Sequence, residues 1–194
     1  MRSEIGTVLM MTGAVLLAAA LTLYAYNRVE NWHAGNEVSR IEEELETALE
    51  VSSILSTDEE TEETVAELDG NTYIGILSIE RFGLELPVMV SWSYANLKLA
   101  PCRYSGRVVT DDLVICGHNY ERHFGKLSGL EAGDLVTFTT VTGYLYTYEV
   151  TEVITIEPTA VDELLSGDWD LSLFTCTYGG QARVVVRLSR TEAD

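Results

Sequence analysis

Leu171-Ser172-Leu173-Phe174-Thr175-Cys176-Thr177-Tyr178-Gly179-Gly180-Gln181-Ala182-Arg183-Val184-Val185-Val186-Arg187-Leu188 joins two short β-forming runs through a polar, glycine-containing connection, the pattern of a hairpin. If Cys176 closes the first strand and Arg183 opens the second, antiparallel pairing sets them opposite each other with Cβ atoms roughly 5 Å apart. A thiol beside a fixed cation favours the thiolate, and the same cation can serve an oxyanion formed when the sulfur attacks a carbonyl. Alternation puts Arg183, Val185 and Arg187 on one face of the second strand and Val184, Val186 and Leu188 on the other. Arg187 stands roughly 13 Å further along. Reach therefore favours Arg183, and Arg187 is expected to pair with a carboxylate or to line the outer part of a groove.

Working outward from the hairpin, residues 73–79, 84–90, 108–116, 135–140 and 144–156 are rich in Val, Ile, Thr and Tyr and are punctuated by Gly, Asp, Asn or Pro. Gly133-Asp134 and Thr142-Gly143 read as turns, while residues 91–99 and 158–166 have room for helical turns. Many strands with short connections predict an all-β antiparallel barrel or sandwich.

A cysteine nucleophile needs a proton-transfer partner that works near neutral pH, and histidine suits that task. Of His33, His118 and His123, only His118 follows an apolar run, Leu113-Val114-Ile115-Cys116, and then a glycine. A strand ending in Gly-His-Asn projects the imidazole from a rigid element into a loop mouth. Cys102 and Cys116 are too far apart in sequence for a Cys-x-x-Cys knuckle, and no helical pair of histidines is present. These two cysteines form a disulfide or are buried separately as thiols; either leaves Cys176 free.

Ile115-Cys116-Gly117-His118-Asn119, then Phe174-Thr175-Cys176, then Arg183 resembles the His, Thr-Cys and Arg signature of the sortases, the cysteine transpeptidases of Gram-positive cell surfaces. The resemblance runs from about Tyr73 to Arg190. It includes Tyr73-Ile74-Gly75-Ile76-Leu77-Ser78-Ile79, Leu86-Pro87-Val88, and Phe124-Gly125-Lys126-Leu127 leading to Gly133-Asp134-Leu135-Val136. It implies the closed sortase-type antiparallel barrel with short helices, with Cys176 as nucleophile, His118 as general acid/base and Arg183 as the residue that steadies substrate and oxyanion. Thr175, Thr177, Tyr178 and Asn119, which flank these positions, are the expected substrate-binding residues. The Thr-Cys-Thr-Tyr…Ala-Arg run is similar to class B, but the segment before Cys176 is shorter than the helix-bearing insertion of that class.

The chemistry implied by the resemblance is cleavage of a carboxy-terminal sorting signal, similar to Leu-Pro-x-Thr-Gly, in an exported protein. A thioester forms and passes its acyl group to an amine of a peptidoglycan precursor or of a pilin lysine. No cofactor is expected. Calcium sensitivity occurs in some sortases, and Glu152, Glu157, Asp162 and Glu163 are oxygen donors, although a solvated acidic face accounts for them equally well. Two other readings stay open: a membrane-anchored thiol peptidase that only hydrolyses surface proteins, and a non-catalytic peptide-binding barrel. Papain-like order, with Cys before His, is excluded by the order His118 then Cys176.

The 194 residues carry 12 Lys and Arg against 31 Asp and Glu, for a formal charge of −19, which excludes a nucleic-acid partner that would need clustered cations. Residues 7–26 are uncharged and apolar, about the 20 residues needed to span a bilayer, so residues 1–6 are expected as a cytoplasmic tail and 7–26 as a single anchor. Tyr24 and Tyr26 suit the interface. A cleaved signal peptide ending near Ala18-Ala19-Ala20 is the alternative. Arg2 and Arg28 balance across the span, so the expected extracellular placement of the catalytic domain comes from the resemblance alone. Val38, Ile41, Leu45, Ala48 and Leu55 recur among glutamates and predict a membrane-proximal amphipathic helix over 27–55. An acidic, solvated linker over 56–70 and a catalytic domain over 71–194 complete the expected plan.

Overall fold

The computed structural model describes residues 2–53 and 64–191. Helix α1, Arg2–Ser53, opens the chain. Its amino-terminal part, up to His33, is a unit by itself. The charge-free run in that unit exposes Val8, Leu9, Leu16, Leu17 and Leu21, and it is long and apolar enough to be a candidate membrane span. A helix rises about 1.5 Å per residue, so such a run matches a hydrocarbon core of about 30 Å.

The second unit begins at Ala34 and holds every strand. The strands are β1 (Ala66–Leu68), β2 (Asn71–Ile79), β3 (Leu84–Met89), β4 (Cys102–Ser105), β5 (Leu113–Cys116), β6 (Leu135–Thr140), β7 (Leu145–Ile156), β8 (Leu171–Cys176) and β9 (Arg183–Arg190). They form one sheet in the order β1-β2-β3-β4-β5-β8-β9-β7-β6, and an additional β2–β6 pairing closes β2 to β9 into an eight-stranded barrel. Closure removes the unpaired edges that an open sheet would present. The short helices α2 (Asn96–Leu99) and α3 (Val161–Leu165) lie in the β3–β4 and β7–β8 connections.

The closed barrel expected from the sequence is present, with two of its pairings, β3–β4 and β5–β8, parallel rather than antiparallel. A parallel pair brings both strand ends to the same rim, so the residues after Cys116 and those at Cys176 emerge side by side. Strands β1 and β4 were not expected, and the run 108–116 is a strand only from Leu113. Val108–Thr110 form a 3-10 turn instead, ended by Asp111 in the left-handed conformation at φ 53°.

Alternating side chains build two apolar layers. Leu77, Ile79, Leu86, Val88, Ile115, Phe138, Leu173 and Val186 belong to one, which fills the barrel. Ile76, Met89, Cys102, Cys116, Phe174, Val185 and Leu164 belong to the other, together with Ile41 and Leu45 of α1. Ala34, Val38, Ile41 and Leu45, spaced by three or four residues on one helical face, are all buried. Arg40 adds an ion pair to Asp69 at 2.8 Å, and Arg122 donates to the Ser39 hydroxyl at 2.7 Å.

The domain boundary therefore moves. The barrel unit starts at Ala34 rather than at 71, because the helix stripe packs on it. The end of the expected linker is strand β1, paired with β2 through Ala66↔Tyr73 and Leu68↔Asn71. The part of that linker over 56–63, and Leu55 of the apolar stripe, lie outside the described residues.

Candidate active site

The register of the hairpin sets the chemistry. β8 and β9 pair antiparallel with Cys176 opposite Arg183, Phe174 opposite Val185 and Ser172 opposite Arg187. Cys176 ends its strand exposed, and Arg183 Nη1 donates to its Sγ at 3.4 Å. Arg183 Nε donates to the Pro158 carbonyl at 3.0 Å, and the guanidinium carbon lies 5.6 Å from the centroid of the Phe174 ring. One end of the planar fork is thus anchored, which aims the other at the sulfur.

β5 pairs parallel with β8, Cys116 beside Phe174, and the ladder continues past the strand end as Gly117 N–H donates to the Phe174 carbonyl at 3.1 Å. The Thr175 hydroxyl donates to the Gly117 carbonyl at 2.8 Å. These two bonds tie the residue before His118 to the residues before Cys176. His118, Cys176 and Arg183 consequently line one cleft of about 220 Å³.

Aromatic rings make one wall of this cleft. Tyr104 meets Phe174 edge-on at 5.2 Å and Trp92 at 6.0 Å, and Trp92 meets Tyr94 edge-on at 6.0 Å. Trp92 and Tyr94 are exposed. Pro158, Ala160, Val161 and Leu164, on and before α3, line it as well. An apolar trough ending at a thiol and a guanidinium suits an extended peptide whose side chains are held while one backbone carbonyl is presented to the sulfur. A larger hollow, of about 800 Å³, lies between the Val38–Glu43 stretch of α1 and strands β2, β3 and β6, and none of the three polar residues lines it.

The structure brings His118, Cys176 and Arg183 together as expected, but it separates the four expected substrate-binding residues. Thr175 lines the cleft, yet it is buried and its hydroxyl is spent on Gly117. Thr177 closes the β8–β9 turn: its hydroxyl accepts from Ala182 N–H at 3.0 Å and donates to the Ala182 carbonyl at 3.1 Å. Tyr178 at the turn tip and Asn119 are not cleft residues. The turn points Tyr178 into solvent because Gly179 and Gly180, both at positive φ, fold the chain back at once.

Arg187 also departs from expectation. It is buried, and its partners are the carbonyls of Leu164 and Glu163 and the Ser172 hydroxyl at 2.6 to 2.9 Å, not a carboxylate or the outer groove. Burial lowers the pKa of the guanidinium. The side chain holds the carboxyl end of α3, and with it one cleft wall, against β8. Alternation could not reveal this, because it reports a face and not the depth at which that face is covered.

Trp92, Tyr94 and Tyr104 were missed as cleft residues. The Trp-x-Tyr spacing in the run expected to be helical was the available signal, whereas Tyr104 lies on β4, four residues too short for a period to register. Cys102 and Cys116 are directly opposite each other on β4 and β5 as free buried thiols, and burial pushes both pKa values up to about 12. Among the described residues, no group of three or more His, Cys, Asp or Glu side chains is gathered to hold a metal ion, Glu152, Glu157, Asp162 and Glu163 included.

The chain is thus a closed barrel that presents a cysteine, a histidine and an arginine in one cleft at its rim. Residues 77–191 match the model of the sortase domain, and the chain belongs to the sortase family. Solved structures agree. Sortase C1 from Streptococcus agalactiae is 27% identical, with a TM-score of 0.58 over 66% of this chain and 72% of that one. Sortase C1 from Streptococcus suis is 25% identical, with a TM-score of 0.54 over 63% and 74%. Sortase A from Corynebacterium diphtheriae, at 19% identity, shares the fold over 91% of this chain and 97% of its own, with a TM-score of 0.59. No curated protein matches the chain.

Proposed function

We propose that the protein cleaves a carboxy-terminal sorting signal, similar to Leu-Pro-x-Thr-Gly, of exported proteins and transfers the acyl group to an amine of the cell wall or of a pilin. Cys176 attacks the scissile carbonyl, and the negative charge that develops on its oxygen is met by Arg183. His118 protonates the departing amine as the carbon–nitrogen bond breaks, leaving a thioester on Cys176. The incoming amine then attacks the thioester, His118 accepts its proton, and the new amide forms as the sulfur leaves. Covalent capture divides one difficult amide exchange into two easier steps.

The single observation that carries this reading is the Arg183 guanidinium, anchored on Pro158 and 3.4 Å from the Cys176 sulfur, in the cleft that also holds His118. By this reading the apolar run in α1 anchors the enzyme in the cell membrane with the barrel outside, where exported proteins and wall precursors meet it. The test is incubation of the full-length protein, in detergent, with sorting-signal peptides and with an amine acceptor. A peptide thioester on Cys176, and a product that partitions toward the amine rather than water, is the expected result. Exclusive hydrolysis at saturating amine would favour a peptidase, and an absence of any cleavage across the peptide set would favour a binding barrel.

A further inference from the structure

The loop that carries His118 also carries an aromatic stack that no role in the reaction yet uses. Tyr120 lies with its ring centroid 4.7 Å from that of His118, the two planes inclined by 36° in a tilted ring contact. Tyr120 also meets His123 edge-on, at 5.4 Å and 67°. His118 thus packs against an aromatic ring that is itself in contact with a second ring.

The loop is wound tightly enough to hold that ring still. Phe124 N–H donates to the His118 carbonyl at 3.0 Å, and the N–H groups of His123 and Gly125 both donate to the Tyr120 carbonyl, at 3.0 and 2.9 Å. A Cβ at Gly125 would stand 2.7 Å from the carbonyl oxygens of Asn119 and Tyr120, and a Cβ at Gly117 would stand 2.7 Å from the Phe124 ring. Both close approaches require glycine, because real Cβ atoms do not sit so near to other heavy atoms. His123 is wholly buried, and neither of its ring nitrogens has a hydrogen-bond partner of normal geometry. Burial lowers its pKa to about 4, so at neutral pH it is an uncharged wedge.

An acid/base imidazole at a strand end must present one nitrogen to the leaving amine, and a displacement of about 1 Å can cost on the order of a hundredfold in rate. We propose that Tyr120 is a positioning residue for His118: its ring, in contact with both His118 and His123, sets the orientation in which the imidazole delivers and accepts the proton. Tyr120 is not a cleft residue, so it acts through His118 and not on the peptide. The inference rests on His118 being the acid/base.

The test compares Tyr120→Phe, Tyr120→Leu and His118→Ala in the full-length protein, by steady-state cleavage of a Leu-Pro-x-Thr-Gly-type peptide with an amine acceptor. Tyr120→Leu is expected to lower kcat about tenfold or more while KM changes less than about twofold, as loss of acid/base alignment should. Tyr120→Phe keeps the ring face and should retain kcat within about twofold. Equal kcat losses in the two variants, or an unchanged kcat in Tyr120→Leu, would overturn the proposal. If Tyr120→Leu melts early, Tyr120→Met, which fills similar space without a π face, replaces it under the same criteria. Should His118→Ala itself stay active, the acid/base assignment has failed, a result distinct from an inert Tyr120.

Discussion

Cys176 and Arg183 occupy opposed positions of the β8–β9 ladder, with Nη1 of the arginine donating to the cysteine sulfur at 3.4 Å and Nε committed to Pro158. The guanidinium therefore needs no rearrangement to meet charge that appears beside the sulfur. Cys176→Ala should give no peptide adduct by intact mass while the barrel stays folded. Arg183→Ala should keep the adduct but cost on the order of a hundredfold in turnover, as removal of one oxyanion donor does. An adduct on Cys176→Ala would remove this residue from the mechanism.

Arg187 lies four residues along the same strand face but serves the fold. Its replacement by alanine leaves the Glu163 and Leu164 carbonyls without their buried donor, and each such loss costs about 1–3 kcal/mol. Arg187→Ala should therefore lower the urea midpoint markedly, where a groove-lining arginine would leave it unmoved. In the fraction that folds, KM should rise more than kcat falls, since α3 forms a wall of the cleft and not its chemistry.

The three cysteines should separate by accessibility. Cys102 and Cys116 are buried thiols with pKa values near 12, whereas Cys176 is exposed. Because the thiolate is the reactive form, iodoacetamide at pH 8 should add one label to the native protein, at Cys176, and three after unfolding. Two labels on the native protein would show that Cys116, which also lines the cleft, is open to solvent there.

How much of this was legible in the sequence depended on how local the determining contacts are. The Cys176–Arg183 pairing follows from two strand runs and a turn, all within one hairpin, and period-two counting sufficed. His118 was readable because an apolar run followed by glycine ends a strand wherever it lies. The β5–β8 parallel pairing that brings these two segments together joins residues far apart in the chain, and only the family resemblance pointed to it. Tyr178 and Thr177 neighbour Cys176 in sequence, but the tight turn at Gly179-Gly180 leaves Tyr178 in solvent and the Thr177 hydroxyl bonded to Ala182. The docking of α1 was half visible. Val38, Ile41 and Leu45 announced an apolar stripe, while nothing in its period named the barrel surface that covers it.

Stability should fall in mild acid because of His123. An unfolded histidine takes up its proton near pH 6.5, but the buried His123 does so only near pH 4, with burial as the main cause, the backbone of Ala34 opposing it and His118 and Arg122 adding to it. Between these two values the unfolded state binds the extra proton, so stability present above pH 6.5 is lost as the pH drops toward 4. At about 1.4 kcal/mol per pH unit the loss is about 3 kcal/mol. Urea titrations of the native protein at pH 7 and pH 4.5 should show it, and His123→Leu should remove most of the difference. A pH dependence unaltered in His123→Leu would assign it to other groups.

The catalytic unit should need the part of α1 that follows His33. Removing everything before Asn71 deletes strand β1, breaks the Arg40–Asp69 ion pair and strips Val38, Ile41 and Leu45 from the barrel surface. Each buried aliphatic side chain stabilises by about 1.5–3 kcal/mol, and these figures are upper values because unfolded chains already bury some surface. The three together still amount to several kcal/mol, a large share of the stability of an ordinary domain. The deletion also uncovers the apolar groups Tyr73, Ile76 and Met89, which pack in the same layer as Ile41 and Leu45. A protein beginning at Ala34 should thus be soluble and cleave peptide at the full-length rate, while one beginning at Asn71 should melt well below it and tend to aggregate. Equal melting temperatures for the two truncations would mean that α1 only rests on the barrel, and that the domain boundary lies at residue 71 after all.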